Sequence, residues 1–137
     1  MTVGSYPDEV QWGDTDASGV IHYASVFAHV ERAEAAYFRD LGIPWERLLE
    51  RFTMPRVHVE ADYLRPLRFA ARITVHVCIE RVGSSSLGLR FDILEGDTPA
   101  VRVGITMVCV RPGEAHASPW PEDVRRVLQA NLAGPPS

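Results

Sequence analysis

The sequence contains no lysine: all 14 basic residues are arginine. Schiff-base chemistry on a lysine amine is therefore excluded, as is a nucleotide loop that depends on lysine. A side-chain cation meeting a phosphate must be a protonated histidine or an arginine, whose planar fork suits phosphate. Cysteine is scarce. Cys78 and Cys109 each sit inside an apolar stretch and read as buried free thiols. No Cys-x-x-Cys pair exists, which rules out a zinc site of that type. No hydrophobic run approaches a membrane span. The first six residues lack the basic and apolar blocks of a signal peptide, so a cytoplasmic location is expected. An excess of positive charge is also missing. With a net charge of −4 and a pI near 5.7, nothing points to a nucleic-acid or anionic-membrane partner.

What is present fits a single folded domain over residues 1–137. The length suits one domain, and 46% hydrophobic residues suffice for a core. There is no internal repeat and no low-complexity tract. Residues 8–13 read as a short strand carrying Val10 and Trp12. Residues 24–41 read as the one long helix: Val26, Val30, Ala33, Tyr37 and Leu41 recur at spacings of three and four, widened by Phe27 and Phe38. Glu31, Arg32, Glu34, Arg39 and Asp40 are expected on the solvated faces. Gly42 and Pro44 supply the stop. A short helix is expected over 44–51 and another over 121–132, with a loose tail from Ala133 to Ser137.

Four further segments alternate with period two. Their apolar positions are Val57 to Tyr63, Ile73 to Ile79, Leu87 to Ile93 and Val101 to Cys109. Joined by turn-forming links such as Gly83-Ser84-Ser85 and Glu95-Gly96-Asp97, they predict an antiparallel meander of half-buried strands. One apolar helix stripe needs one apolar sheet face. The expected architecture is an α+β domain, an antiparallel sheet wrapped around one long central helix.

The segment Gly13-Asp14-Thr15-Asp16-Ala17-Ser18-Gly19 precedes that helix. As a calcium loop it has Asp, Asp, Ser and Gly at the right spacings, but Ser25 stands where the bidentate Glu is required. As plain structure it is a turn that caps a helix. Its chemical reading has a mechanism. Unpaired N–H groups at a helix start bind a developing oxyanion, and a nearby carboxylate attacks the carbonyl or deprotonates a water that does.

The stretch Val10-Gln11-Trp12-Gly13-Asp14-Thr15-Asp16-Ala17-Ser18-Gly19-Val20-Ile21-His22-Tyr23 resembles the signature of the 4-hydroxybenzoyl-CoA thioesterase family, including its broader acyl-CoA branch. Glu31-Arg32-Ala33 and the strand Val57 to Leu64 with its Arg65-Pro66-Leu67 ending are similar too. The resemblance implies a hotdog fold and hydrolysis of an acyl-CoA. It implies Asp16 as the catalytic carboxylate, acting as nucleophile or general base. The backbone N–H near Tyr23 would polarise the thioester carbonyl, Gly19 would lie in the binding loop, and Asp14 would support that loop. It implies no metal or redox cofactor, since CoA belongs to the substrate. It also implies a homodimer or homotetramer with active sites between subunits. The chain departs from the family at His22-Tyr23, where members often show an aromatic then His, or two aromatics. His22 is accordingly read either as an assisting group or as a hydrogen-bonding lining residue.

The remaining candidates are weaker. Other hotdog thioesterases use a helix Glu, for which Glu31 and Glu34 are the local options. His58 alternates with core-facing residues and reads as a surface, interface or substrate contact. Arg81 beside Ser84 and Ser85 is the first candidate for CoA phosphates, followed by Arg90 and Arg102. His29, His76 and His116 show no pairing in the sequence. Two other functions stay open: a hydratase or dehydratase acting on acyl thioesters through His22 or His58, and a non-catalytic acyl-CoA binding module.

Overall fold

The computed structural model of the protein describes residues 3–133. Five strands form one antiparallel sheet: β1 (Val3–Glu9), β2 (Arg56–Tyr63), β3 (Arg72–Val82), β4 (Ser86–Glu95) and β5 (Thr98–Val108). Their order across the sheet is β1-β3-β4-β5-β2. Helix α1 (Val26–Asp40) packs chiefly on β1 and β3. Two shorter helices, α2 (Trp45–Leu48) and α3 (Glu122–Ala130), flank this layer.

The period-two pattern builds the core as expected. Ile73, Val75, Val77 and Ile79 of β3, Leu87, Leu89, Phe91 and Ile93 of β4, and Val101, Val103, Ile105 and Met107 of β5 are all buried. They meet Val26, Val30, Ala33, Tyr37 and Phe38 from α1. The helix stops where the sequence indicates. Gly42 adopts φ +83°, a conformation costly for any residue with a Cβ. Its N–H donates to Arg39 O and the Ile43 N–H to Phe38 O, closing the helix end.

Four expectations need correction. The first strand is Val3–Glu9, not 8–13. Val10 is buried just beyond it, but Trp12 opens a 3-10 turn (Trp12–Asp14) and is 68% exposed. The long helix opens as a 3-10 turn over Tyr23–Ser25 and is α-helical only from Val26. The helix expected over 44–51 spans only Trp45–Leu48. Finally, β2 is an edge strand whose apolar residues are largely uncovered. Val59, Ala61 and Tyr63 pair with Ile105, Val103 and Val101, so they do lie on the helix side of the sheet. Because α1 packs over the opposite flank, Val57, Val59 and Tyr63 stay exposed and Ala61 is only half-buried.

The terminal helix spans Glu122–Ala130 and buries Val124 and Leu128. Of the expected loose tail, Ala133 donates its N–H to Ile79 O; residues 134–137 lie outside the described residues. Both cysteines are free thiols, Cys109 buried and Cys78 half-buried. No described helix is long and apolar enough to cross a membrane.

Candidate active site

The acidic loop is a closed, hydrogen-bonded structure. Thr15 and Ile21 pair as an antiparallel bridge, and the Asp16 N–H donates to Val20 O at 2.9 Å. Gly19, at φ +77°, reverses the chain and donates to Asp16 O at 3.0 Å. Its carbonyl accepts from the Phe69 N–H, fixing the loop to the segment before β3.

Asp16 is exposed at the tip of this loop. Its Oδ1 accepts from both the hydroxyl and the N–H of Ser18. Those two bonds, with smaller help from the Val20 backbone and His22, hold the carboxyl below the ordinary carboxylate range. Asp16 is therefore ionised at neutral pH. Among the described residues, Ser18 is the one whose side chain donates to this carboxylate.

The helix entrance lies at the other end of the same loop. His22 accepts the Ala24 N–H on its Nδ1 at 3.3 Å and stacks on Tyr23 with ring centroids 4.5 Å apart. Tyr23, first residue of the 3-10 turn, has no acceptor for its N–H within that turn. Its carbonyl accepts from the Tyr63 hydroxyl at 2.8 Å, which ties the entrance to the end of β2. Between them lies an open cavity of about 290 Å³, lined by Val20, Ile21, Tyr23, Tyr63, Leu64, Arg65, Pro66 and Val101. On another side of the loop, Trp12 and Phe69 form an exposed edge-to-face pair.

The loop thus brings Asp16, Gly19, His22 and Tyr23 together within one chain. It does not bring the other candidates there. His58 lies five residues back along β2 from Tyr63, about 17 Å at the rise of an antiparallel strand. It stands 3.6 Å from Glu60, both exposed. Arg81, Ser84 and Ser85 lie at the end of β3 far from the loop, whose neighbours are Leu67, Arg68 and Phe69 just before that strand's start. Arg81 donates to the Thr106 hydroxyl at 3.1 Å and has no carboxylate within 4.0 Å among the described residues. Arg90 and Arg102 both pair with Asp92 at 3.0 Å. Through Gly88 and Thr106, Arg81 and His58 share one row across the sheet.

Two residues were misjudged from the sequence. His29 is fully buried, with Nδ1 2.7 Å from Asp8 Oδ2 and Nε2 2.9 Å from Asp14 Oδ2. Asp14 is indeed braced: the same oxygen accepts the Gln11 N–H, and its carbonyl accepts the His22 N–H. Glu34, expected in solvent, is 1% exposed and pairs with the Arg56 guanidinium. Glu31, the other helix candidate, is exposed. The signal for both buried residues was the helical spacing itself. His29 falls three after Val26 and four before Ala33; Glu34 falls four after Val30 and three before Tyr37.

Comparison with known proteins places this loop and fold in a family. Residues 10–128 match the Thioesterase-like superfamily, and the chain belongs to it. Among its relatives is a 1,4-dihydroxy-2-naphthoyl-CoA hydrolase from Synechococcus sp. (strain WH7803), 25% identical, with 92% of this chain and 88% of the relative covered. Solved structures with the same fold include a 1,4-dihydroxy-2-naphthoyl-CoA thioesterase from Synechocystis. Its TM-score is 0.85 at 18% identity, covering 93% of this chain and 96% of that one. A gentisyl-coenzyme A thioesterase has a TM-score of 0.81 at 23% identity, covering 90% and 98%. The hotdog architecture expected from the sequence is thereby shown.

Proposed function

We propose that the protein hydrolyses an acyl-CoA to a free acid and CoA, with Asp16 as the reacting carboxylate. The observation that carries this reading is the exposed, ionised Asp16 carboxylate, oriented by Ser18 on Oδ1, on a loop that ends at a helix start. With the carbonyl oxygen on the Tyr23 N–H, negative charge developing there is stabilised by a fixed donor and the positive end of the helix. Oδ2 then either adds to the carbonyl carbon, expelling CoA thiolate and leaving an anhydride for water to cleave, or removes a proton from an attacking water. In both routes the thiolate takes up a proton as CoA leaves. His22 lines the site and caps its helix start through Nδ1.

The acyl group on this reading is aromatic, of the gentisyl or dihydroxynaphthoyl kind. Support comes from the names of the relatives and from the cavity walled by Tyr23, Tyr63, Val20 and Ile21. At about 290 Å³ that cavity is at the small end for a ligand site and open to one side. A second copy of the chain completes it. β2 is an edge strand with exposed Val57, Val59 and Tyr63, the kind of edge that proteins cover. Antiparallel pairing of two such edges runs the His58 end of one strand beside the Tyr63 end of the other. That pairing makes the row bearing His58 and Arg81, with Ser84 and Ser85 at its end, the contact for CoA phosphates from across the interface. Arg81 suits this role best, since Asp92 occupies Arg90 and Arg102.

Thiol release from a panel of aromatic and aliphatic acyl-CoA esters tests the reaction, with Asp16→Ala as the control. Full activity in a folded Asp16→Ala protein contradicts it. A product that keeps its thioester would indicate a hydratase instead, and binding without turnover an acyl-CoA carrier.

A further inference from the structure

Behind the loop, three side chains from three elements form a chain of buried contacts: Asp8 of β1, His29 of α1 and Asp14 of the 3-10 turn. His29 has no exposed surface. Each of its ring nitrogens faces one carboxylate oxygen at under 3 Å. Arg32, on the same helix, donates to Asp8 Oδ2 through Nε and Nη2, and its Nη2 lies 2.9 Å from His29 Nδ1. Burial alone would raise the Asp8 carboxyl, but bonds from His29, the Glu9 N–H and Arg32 outweigh it and hold it below its usual range.

The two ends of this chain face different surroundings. Asp8 borders an open cavity of about 240 Å³, shared with Tyr6, Pro7, His29, Arg32, Ala36 and Val75. The Asp14 carboxylate fastens the start of the loop at the Gln11 N–H, and its backbone carbonyl accepts the His22 N–H at the other end. The titratable or charged neighbours of His29 are Asp8, Asp14 and Arg32, with Tyr6 on the cavity wall; β3 lends that wall only Val75.

We propose that His29 is a positioning residue for the Asp16 loop: its Nε2 holds the Asp14 carboxylate, and losing that contact loosens the loop and lowers kcat. This rests on the loop being the site of hydrolysis.

The test joins two readouts. kcat and KM are measured for wild type, His29→Gln and Asp8→Asn, and ¹⁵N NMR compares the Gly13–Gly19 amides of the three proteins. Gln can serve only one carboxylate as donor. The expected result is a kcat reduced roughly ten-fold or more in His29→Gln, with KM changed less than about three-fold and the loop amides displaced. Asp8→Asn leaves the contact with Asp14 in place and should lower kcat less than His29→Gln does. Loop amides unmoved in His29→Gln overturn the proposal. So does a His29→Gln protein with wild-type kcat. Should His29→Gln fail to fold, Asp14→Asn, which alters only the loop side of the contact, decides by the same two readouts. Should wild type cleave no acyl-CoA, the proposed reaction fails, while the loop amides still judge the role of His29.

Discussion

His29 and Glu34 both interrupt the apolar stripe of α1, at 0% and 1% exposure, yet they are satisfied to different degrees. Each ring nitrogen of His29 meets a carboxylate, and those carboxylates anchor β1 and the acidic loop. Glu34 has one oxygen on Arg56 and the other without a hydrogen-bond partner among the described residues. Burial pushes its carboxyl up to about 7, against the pull of the guanidinium. Arg56 is itself well held, donating to Met54 O at 3.0 Å and lying over the Trp45 ring at 5.8 Å. A buried polar group on a helix stripe thus acts as a clamp where every atom is paired, and as a cost where one is not.

The largest effect expected is from His29→Leu, which leaves Asp8 and Asp14 facing an apolar side chain. It should lower unfolding free energy by about 4 kcal/mol in urea titrations at neutral pH. Glu34→Gln should act in the opposite direction and depend on pH. The folded pKa of Glu34 is raised from 4.5 to about 7, so its stability contribution is intact below 4.5 and lost as pH rises through 7. The variant should match wild type near pH 4.5 and exceed it by at most about 3 kcal/mol at pH 8. The smallest effect is from Arg32→Ala. Its side chain is 55% exposed, and removing its ion pair with Asp8 should cost under about 1 kcal/mol, less in high salt. A harmless His29→Leu, or a Glu34→Gln protein that is weaker at pH 8, would break the contrast between the two residues.

How much the sequence disclosed follows the same division. Period-two runs specified the faces of β3, β4 and β5 because the helix-side neighbours of these strands bury them. The same pattern misled at β2. Alternation reports which side a residue is on, not whether anything covers that side, and α1 does not reach this flank. The loop was legible because Asp, Ser and Gly have defined turn chemistry, and Ser18 on Asp16 with Gly19 at positive φ are consequences of it. Asp8 with His29 and Glu34 with Arg56 were not legible. Their partners stand 21 and 22 residues away, and only the packing of α1 on the sheet brings them together.

The loop chemistry has one most direct measurement: CoA release by wild type and by Asp16→Asn across pH, with circular dichroism as the fold control. Because Ser18 holds the Asp16 carboxyl down, wild-type activity should persist through pH 5 and fall only below the ordinary carboxylate range. Asp16→Asn should lose roughly a hundred-fold or more in kcat at every pH while keeping its fold. A folded Asp16→Asn protein that releases CoA at the wild-type rate would contradict the account.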